Sequence, residues 1–330
     1  MGYYYNNKLF RDKIYTQYFN SFIEHQFKYM FAEIDYSKEK QRIEVTKLKS
    51  LLNSDYKKRI FLRLLLKVNV QIIGKGRERN LQLLNALQYN YLIEAYLHSP
   101  LLRHKLFALN IISDLRLEGF DDYILKLVTK KNNILRSDAL VAILKLDIYD
   151  NLSFLSDYNV KLTIWDVNTM IKTIQEKKLD NINYLELISS SNAQVSALGI
   201  ILARLNKRIE FKKLIKEKIY SSNQLVSEES FITFISFADD QSDYDYLMYT
   251  FEIATEKAQL YIVKSIVNYE NAKEKIKFLN WIVENKSLII KIEAIRVLIE
   301  IDLRSIERYK KSKNMLVRNA CLQVLDFNLE

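Results

Sequence analysis

A short pattern recurs along this chain and predicts its fold. A branched apolar residue is followed by a polar or basic one, then by a small residue, usually three positions on, and then by apolar residues at helical spacing. The polar or basic positions are Arg103, Arg136, Ser196, Lys291 and Arg318. Their separations of 33, 60, 95 and 27 residues fit a period of about 31 if weaker copies lie near Ile164, Ser230 and Gln259. Such a period is typical of stacked helices, so we predict an all-α fold, a right-handed α-α superhelix (solenoid).

Composition favours the same fold class. The 330 residues include 1 proline and 5 glycines, and turn-rich sheet proteins need more of both. Hydrophobic residues make up 49% and charged residues 27%, which is typical of an ordered chain with a buried core.

The pattern also predicts where individual helices lie. Each repeat is a first helix, a turn and a second helix that carries the pattern. The predicted second helices span 100–116, 133–147, 162–176, 192–206, 224–238, 255–269, 287–301 and 314–327. Asparagines near four of these starts are candidate N-caps, since asparagine accepts a hydrogen bond from an unpaired helix amide: Asn133, Asn192, Asn223 and Asn314. The arginine of the pattern is expected to bind neighbouring carbonyls or an acid in the next repeat.

The chain divides into three parts that we expect to form one continuous stack. Residues 1–36 hold 12 aromatic residues between Tyr3 and Tyr36, in part at helical spacing. This segment is either an amphipathic helix that caps the first repeat or an interfacial segment beside a membrane. Residues 37–90 form basic, degenerate helical repeats, and residues 91–330 carry the clear repeat.

Positive charge is concentrated before the clear repeat. Of the net charge of +10, the segment 38–79 supplies 13 basic against 4 acidic residues, a net of +9. Arg59, Arg63 and Lys67 are four residues apart and so share a helix face. The candidate residues for binding an anionic surface are Lys57, Lys58, Arg59, Arg63, Lys67, Lys75, Arg77 and Arg79. This cluster is a solvated face, a site for an anionic membrane, or, as a third alternative, a nucleic-acid site.

No catalytic or metal-binding pattern is found in the sequence. The three histidines, His25, His98 and His104, lack metal-ligand spacing, and Cys321 is expected to be a small buried residue. The densest carboxylate cluster, from Asp239 to Asp245, lacks the glycine and glutamate of a calcium loop. We therefore expect no enzymatic activity, no metal and no cofactor, and we interpret the carboxylate cluster as a solvated turn with a helix cap.

The pattern resembles HEAT repeats, in which pairs of antiparallel helices stack into a superhelix. Two runs carry this likeness best, Leu135-Arg136-Ser137-Asp138-Ala139 and Val317-Arg318-Asn319-Ala320-Cys321. The resemblance covers about residues 91–330, although the copies near Ile164 and Ser230 are poor. It implies an armadillo-like solenoid without catalytic residues.

A narrower resemblance is to a group of bacterial HEAT-repeat proteins. It rests on the first of those runs together with Leu144–Asp147, Leu152–Leu155 and Ile164–Asn168. Proteins of that group typically carry an N-terminal transmembrane helix before a basic, aromatic-rich linker and a cytoplasmic solenoid. No apolar run here is long enough to span a membrane. The resemblance therefore implies a cytoplasmic protein held at the inner membrane through a segment absent from this sequence.

Two functions of different classes follow. The first is a non-catalytic scaffold that binds a protein partner through the concave face of the solenoid, near an anionic membrane surface. The second is nucleic-acid binding, because some HEAT-like proteins are DNA glycosylases that use tryptophan and aspartate in a basic groove. Trp165, Asp166 and Trp281 are the candidates for that role, although most such tryptophans are core or inter-repeat residues. An enzyme or chaperone for a bound cofactor has only the fold in its favour.

Overall fold

A computed structural model of the chain describes residues 13–21, 38–69, 75–130, 132–148, 150–155, 162–179, 181–301 and 304–327. Within these ranges the secondary structure is helical and no β-strand occurs, which confirms the all-α prediction. Short 3-10 helices lie at Asp150–Leu155, Ile209–Phe211, Phe251–Ile253 and Ile266–Asn268.

Contacts between residues group the chain into two compact units. Unit 1 comprises Met1–Asp150 and Thr163–Asp180. Its described helices are α1 (13–21), α2 (Lys38–Leu51), α3 (Asp55–Asn69), α4 (Lys75–Ala86), α5 (Tyr89–His98), α6 (Leu102–Leu115), α7 (Asp121–Val128), α8 (Asn133–Leu146) and α9 (Ile164–Lys177). In this unit α6 contacts α3 and α8, α8 contacts α9, and the shorter helices α5 and α7 pack on α6 and α8.

Unit 2 comprises Asn151–Leu162 and Asn181–Glu330. Its described helices are α10 (Tyr184–Ser189), α11 (Ala193–Leu205), α12 (Lys212–Lys218), α13 (Gln224–Phe237), α14 (Gln241–Tyr249), α15 (Glu256–Ser265), α16 (Ala272–Asn285), α17 (Leu288–Ile301), α18 (Arg304–Lys310) and α19 (Met315–Phe327). The helices α11, α13, α15, α17 and α19 contact one another in series. Each of the other helices α10, α12, α16 and α18 packs on the helix that comes directly after it, namely α11, α13, α17 and α19.

The eight predicted second helices are confirmed. They correspond to α6, α8, α9, α11, α13, α15 with the 3-10 turn that follows it, α17 and α19, and every bound agrees within two residues. The agreement includes the two copies near Ile164 and Ser230 in which the sequence pattern is weak. Apolar spacing and capping residues therefore set these helices even where the repeat itself is blurred.

Asparagine side chains begin several second helices, as predicted. The side-chain oxygens of Asn192 and Asn223 accept hydrogen bonds from the backbone amides of the second and third residues of their helices. That of Asn314 accepts from the Leu316 amide at 3.0 Å. The prediction for Asn133 is wrong by one position. Asn132 is the N-cap of α8, because its extended backbone lets the side chain reach the Leu135 amide, whereas Asn133 is already helical.

Three helices of unit 1 end in a left-handed residue that is not glycine. Arg116, Asp147 and Lys178 follow α6, α8 and α9 with φ of 49°, 57° and 52°. Glycine is the usual residue at such a C-cap, because a Cβ atom makes this conformation unfavourable by about 1 kcal/mol. In this conformation the backbone amide of each residue still donates a hydrogen bond to a carbonyl of the last helical turn, which offsets the strain.

Small residues occupy the predicted position of the pattern and let helices approach closely. Ala139, Ala294 and Cys321 are completely buried, which confirms the prediction for the cysteine. Gly199 holds this position in α11, where it faces α10. A Cβ atom there would lie 2.7 Å from the Leu187 Cβ atom and 2.9 Å from the backbone nitrogen of the next residue, so α10 and α11 touch through a surface that only glycine fits.

The described part of the aromatic N-terminal segment packs on α3. Phe19 of α1 is 1% exposed and meets the Phe61 ring edge-on, with 5.6 Å between ring centroids. The Lys57 ammonium lies 5.1 Å from the centroid of the Tyr15 ring. The other aromatic residues of the segment, apart from Tyr18, lie outside the described residues, and the boundaries 1–36, 37–90 and 91–330 and the single continuous stack stay predictions.

Candidate anionic-surface site on helices α3 and α6

Helix α3 separates an apolar face from a basic one. Phe61, Leu62 and Leu65 are buried, while Arg63 and Lys67 are exposed. Arg59, half-buried, lies one turn before Arg63. Spacing of four residues places Arg59, Arg63 and Lys67 in one row along the helix, which we call the basic stripe. Three cationic side chains over two turns give this side of α3 a concentrated positive potential.

Helix α6 extends the basic stripe. The Arg63 guanidinium lies 5.8 Å from the centroid of the Phe107 ring, an arrangement that holds the cation over the aromatic face. Arg103, in the first turn of α6, is exposed. The sequence analysis assigned Arg103 to the repeat pattern and did not consider Phe107. Their position beside the basic stripe follows from the contact between α3 and α6, which the sequence does not show.

His104 lies beside the basic stripe without adding charge to it. Its Nδ1 atom is 2.9 Å from the Ser99 hydroxyl, and its ring centroid is 4.9 Å from that of Tyr96. Burial lowers the pKa of His104, the neighbouring Arg103 and Arg59 lower it further, and Asp55 opposes them. The imidazole is therefore neutral at pH 7, and the positive potential comes from the guanidinium and ammonium groups.

Two of the predicted residues on α3 point away from the basic stripe. The Lys57 ammonium donates a hydrogen bond to Asn53 Oδ1 at 3.0 Å while lying over the Tyr15 ring. Lys58 forms an ion pair with Asp55 at 3.7 Å. Adjacent helical residues project about 100° apart, so the predicted group does not form one surface. The other three predicted residues, Lys75, Arg77 and Arg79, belong to the first turns of α4, and their side chains lie outside the described residues.

Asp166, a candidate for base-excision chemistry, has a structural role at the start of α9. It is fully buried, and its carboxylate accepts a hydrogen bond from Arg136 at 2.7 Å, another from the Thr163 amide at 2.7 Å, and one from Ser137. Burial by itself would raise the pKa of Asp166, but the hydrogen bonds from Ser137, Thr163 and Arg136 hold it below its usual range. The Asp166 carboxylate therefore accepts hydrogen bonds at the start of α9. Its ion pair with Arg136 agrees with the expectation that the arginine of the pattern binds an acid in the next repeat.

The two tryptophans differ in environment. The expectation that Trp165 is a core or inter-repeat residue is wrong, because its side chain is 72% exposed. Val167, Met170 and Ile174 form the buried face of α9, and Trp165 projects to the other side. Trp281 meets the expectation in part. It is 38% exposed, and its ring packs edge-on against that of Phe251, 30 residues earlier in the chain, at 6.1 Å between centroids.

A lysine binds two carboxylates of the acidic cluster. Oxygen atoms of Asp239, Asp240 and Asp243 lie within 4.8 Å of one another. The Lys212 ammonium donates to Asp239 at 2.5 Å and to Asp243. Asp240 is the N-cap of α14, as the interpretation of a helix cap requires, and accepts a hydrogen bond from the Asp243 amide at 2.9 Å. The lysine occupies the position that a cation would take.

The remaining histidines do not form a catalytic group. The His98 ring meets the Tyr123 ring edge-on, with centroids 5.0 Å apart. His25 lies outside the described residues. Among the described polar groups, the basic stripe is an arrangement suited to charge-based recognition.

The described chain is thus an all-α protein of paired helices with a basic stripe at one side of unit 1. Among the described residues, none of the helices has both the length and the apolar character needed to cross a membrane. No known family model matches the chain, and no curated protein has a matching sequence.

Proposed function

We propose that this chain is a non-catalytic helical-repeat scaffold. In this proposal each unit is a segment of right-handed α-α superhelix of the HEAT-repeat kind. The second helices bind a protein partner, and the basic stripe holds the scaffold against an anionic membrane surface such as the cytoplasmic face of a bacterial membrane. The observation that carries the proposal is the series of contacts between successive second helices in each unit.

Polar contacts between second helices support the repeat. Side chains of one second helix or its cap bind side chains of the next at nearly constant separation along the sequence. The joined pairs are Asp114–Lys145, Arg136–Asp166, Glu228–Thr255 and Glu256–Ser287, which are 31, 30, 27 and 31 residues apart. These separations match the period of about 31 residues in the sequence, as expected when each repeat contacts its neighbours.

Exposed apolar residues on the second helices of unit 2 support a protein partner. Tyr261 on α15, Ile289 on α17 and Leu316 on α19 are 44%, 57% and 55% exposed. The three helices contact one another in series, so these residues belong to one row of helices. Exposed apolar residues rimmed by charges are typical of surfaces that bind other proteins.

The basic stripe supports a membrane surface in preference to nucleic acid. A groove that tracks a nucleic-acid backbone needs positive charge along its length. In the described part of this chain, the cluster of positive side chains is confined to α3 and the first turn of α6. Asp166 is also buried against Arg136, so it does not resemble an aspartate that is free to act on a flipped base.

The basic stripe predicts a loss of membrane binding on charge reversal. The triple change Arg59→Glu, Arg63→Glu and Lys67→Glu should weaken co-sedimentation with anionic liposomes more than about tenfold, because each Lys or Arg near such a surface contributes about 1 kcal/mol. The matched control is Lys213→Glu, Lys264→Glu and Lys273→Glu, which makes the same charge change at exposed positions of unit 2. Equal losses in both variants, or none in the first, would show that the stripe has no specific role. A steep salt-dependent shift of duplex DNA by the wild-type chain would favour the nucleic-acid alternative.

We expect a protein partner to contact the second helices of unit 2. A photoreactive amino acid at Ile289 or Leu316 should give a discrete cross-linked adduct in living cells. The same group at Lys277 on the first helix α16, whose side chain is 78% exposed and so at least as accessible, should give none. Adducts at all three positions, or only at Lys277, would contradict binding through the second helices.

A further inference from the structure

Large apolar residues are exposed at the starts of three successive second helices of unit 1. Leu101, the N-cap of α6, is 44% exposed, and Ile134, in the first turn of α8, is 57% exposed. Ile164 and Trp165, which begin α9, are 75% and 72% exposed. We call these four residues the apolar edge. A single exposed apolar residue is ordinary, whereas a contiguous group of them is typical of a binding surface.

Hydrogen bonds at both ends show that α8 and α9 run parallel. Near their starts, Arg136 of α8 donates to Asp166 of α9 at 2.7 Å. Near their ends, the Lys177 ammonium of α9 donates to the Leu144 carbonyl of α8 at 2.6 Å. The starts of these two helices are therefore neighbours, and so are the exposed residues that they carry.

Helix α6 runs in the same direction as α8. The two helices contact each other, and their last turns are joined by the Lys145 ammonium, which donates to Asp114 at 2.6 Å. Helices that pack in this way have axes about 8–10 Å apart. The four residues of the apolar edge thus lie in one row across α6, α8 and α9, at the side of these helices opposite to the paired charges of their ends.

Basic side chains border the apolar edge. Arg103, two residues after Leu101, is exposed, and so is Lys130, which precedes α8. Arg103 and Arg59 of the basic stripe both lie close enough to His104 to lower its pKa. The basic stripe and the apolar edge are therefore adjacent at the start of α6.

Acidic side chains near the apolar edge are few and partly neutralised. A single acid, Asp166, occurs in the segments that contain the three helix starts, 99–107, 129–137 and 162–169. It is fully buried in its pair with Arg136. Asp138, one turn beyond Ile134, is half-buried, and Asp55 of α3 pairs with Lys58 at 3.7 Å. The charge around the apolar edge therefore complements an anionic partner.

We propose that the apolar edge inserts into the interface of an anionic bilayer, while Arg103 and the basic stripe contact the lipid headgroups. Tryptophan and branched apolar residues next to cations are typical of surfaces that enter the boundary between headgroups and acyl chains. The highly exposed side chains project from the protein, whereas the anchors of a peptide-binding groove are covered on their flanks. The inference rests on the proposed membrane role and goes beyond it, because the basic stripe alone would bind by charge only.

The two tryptophans of the chain allow insertion to be measured separately from binding. Trp281→Phe leaves Trp165 as the only tryptophan. On addition of vesicles of phosphatidylglycerol and phosphatidylcholine, its fluorescence should shift to the blue and be quenched by lipids brominated in their acyl chains. In the complementary variant, Trp165→Phe, the fluorescence of Trp281 in unit 2 should not respond. Co-sedimentation with the vesicles without any Trp165 response would overturn insertion and leave the proposed membrane role standing.

Polar substitutions test whether the apolar edge contributes to affinity. Ile134→Ser together with Trp165→Ser should weaken binding to these vesicles at least about tenfold, because two apolar side chains no longer leave water. The matched control is Ile289→Ser with Leu316→Ser, which removes exposed apolar residues from the starts of α17 and α19 in unit 2. Equal losses in the two variants would contradict the proposal.

Salt distinguishes insertion from attraction by charge. At about 1 M salt the screening length is about 3 Å, so binding through the basic stripe alone should vanish. The wild type should keep a measurable fraction of its vesicle binding there, and the Ile134→Ser, Trp165→Ser variant should keep none. Complete release of the wild type by salt would show that the apolar edge stays in water.

An acidic protein segment is the other partner that this charge would suit. The probe is a synthetic amphipathic helix with glutamates on its polar face, added without lipid. If this peptide shifts the Trp165 fluorescence and vesicles do not, the apolar edge is a protein-binding surface and the proposal is wrong. No co-sedimentation of the wild type with anionic vesicles would contradict both the insertion and the proposed membrane role.

Discussion

Replacing Arg136 with methionine is expected to lower the free energy of unfolding by about 3–5 kcal/mol. The side chains of Arg136 and Asp166 are 4% and 0% exposed, and their ion pair is 2.7 Å long. The substitution leaves the Asp166 carboxylate buried without its counter-charge, which costs far more than loss of a surface ion pair. Denaturant titration monitored by circular dichroism measures the change.

Arg318 provides the matched control for this prediction. It occupies the same position of the repeat on α19 but is exposed. Arg318→Met should change stability by no more than about 0.5 kcal/mol. Similar losses in the two variants would mean that the pattern arginine acts through helix propensity or charge in general and not through the buried pair.

The ion pair between Arg136 and Asp166 is expected to make the stability of the fold depend on pH. The folded-state pKa of Asp166 is below its unfolded value of about 3.9. The stabilisation is therefore complete above that unfolded value and is lost as the pH falls through the folded pKa. Asp166→Asn, although less stable at neutral pH, should lose less of its remaining stability below about pH 4 than the wild type does. Parallel acid-unfolding curves would contradict the assignment.

Replacing Gly199 with valine is expected to be the second most damaging change, at about 3 kcal/mol. The Cβ atom alone would lie 2.7 Å from the Leu187 Cβ atom and 2.9 Å from the Ile188 backbone nitrogen, and backbone atoms of α10 cannot rotate away. Gly199→Ala should be destabilising by a smaller amount, although alanine favours a helix over glycine by about 1 kcal/mol.

The control for Gly199 lies in the same helix. Ala193→Val places an equally branched side chain at the half-buried start of α11 and should cost less than about 1 kcal/mol. Thermal or denaturant unfolding separates the two variants. If Gly199→Ala were stabilising, α10 and α11 would be able to separate at little cost, and the close approach would not be needed for the fold.

Much of the fold was predictable because its signals are local. Most second helices begin at a residue whose side chain caps the helix, and all continue with apolar residues at helical spacing. Both features can be read within about fifteen residues. The caps at Asn192, Asn223 and Asn314 show how directly side-chain chemistry sets these starts. The error at Asn133 arose because two asparagines are adjacent, and only the backbone geometry selects the first.

The parts that the sequence did not predict depend on contacts between helices. Arg136 and Arg318 stand in nearly identical local patterns, yet the first is buried and the second exposed. Arg136 is buried against an aspartate of the next helix, Asp166, a contact that the local pattern does not reveal. Trp165 was misjudged for the same reason, since the described helices leave its side of α9 exposed. Within the candidate site, the spacing of Arg59, Arg63 and Lys67 predicted a shared face, but the contribution of Phe107 required the packing of α6 on α3.

The regular separation of bonded pairs has a consequence for how the protein is made. The polar bonds between successive second helices join residues about 30 positions apart. The bond between Lys286, after α16, and Glu252, before α15, joins residues 34 apart. Contacts so close in sequence give a low relative contact order, which favours rapid folding. A helix leaving the ribosome thus meets its bonding partner in the segment synthesised just before it. The chain can fold during translation, one repeat after another, without waiting for its C-terminus.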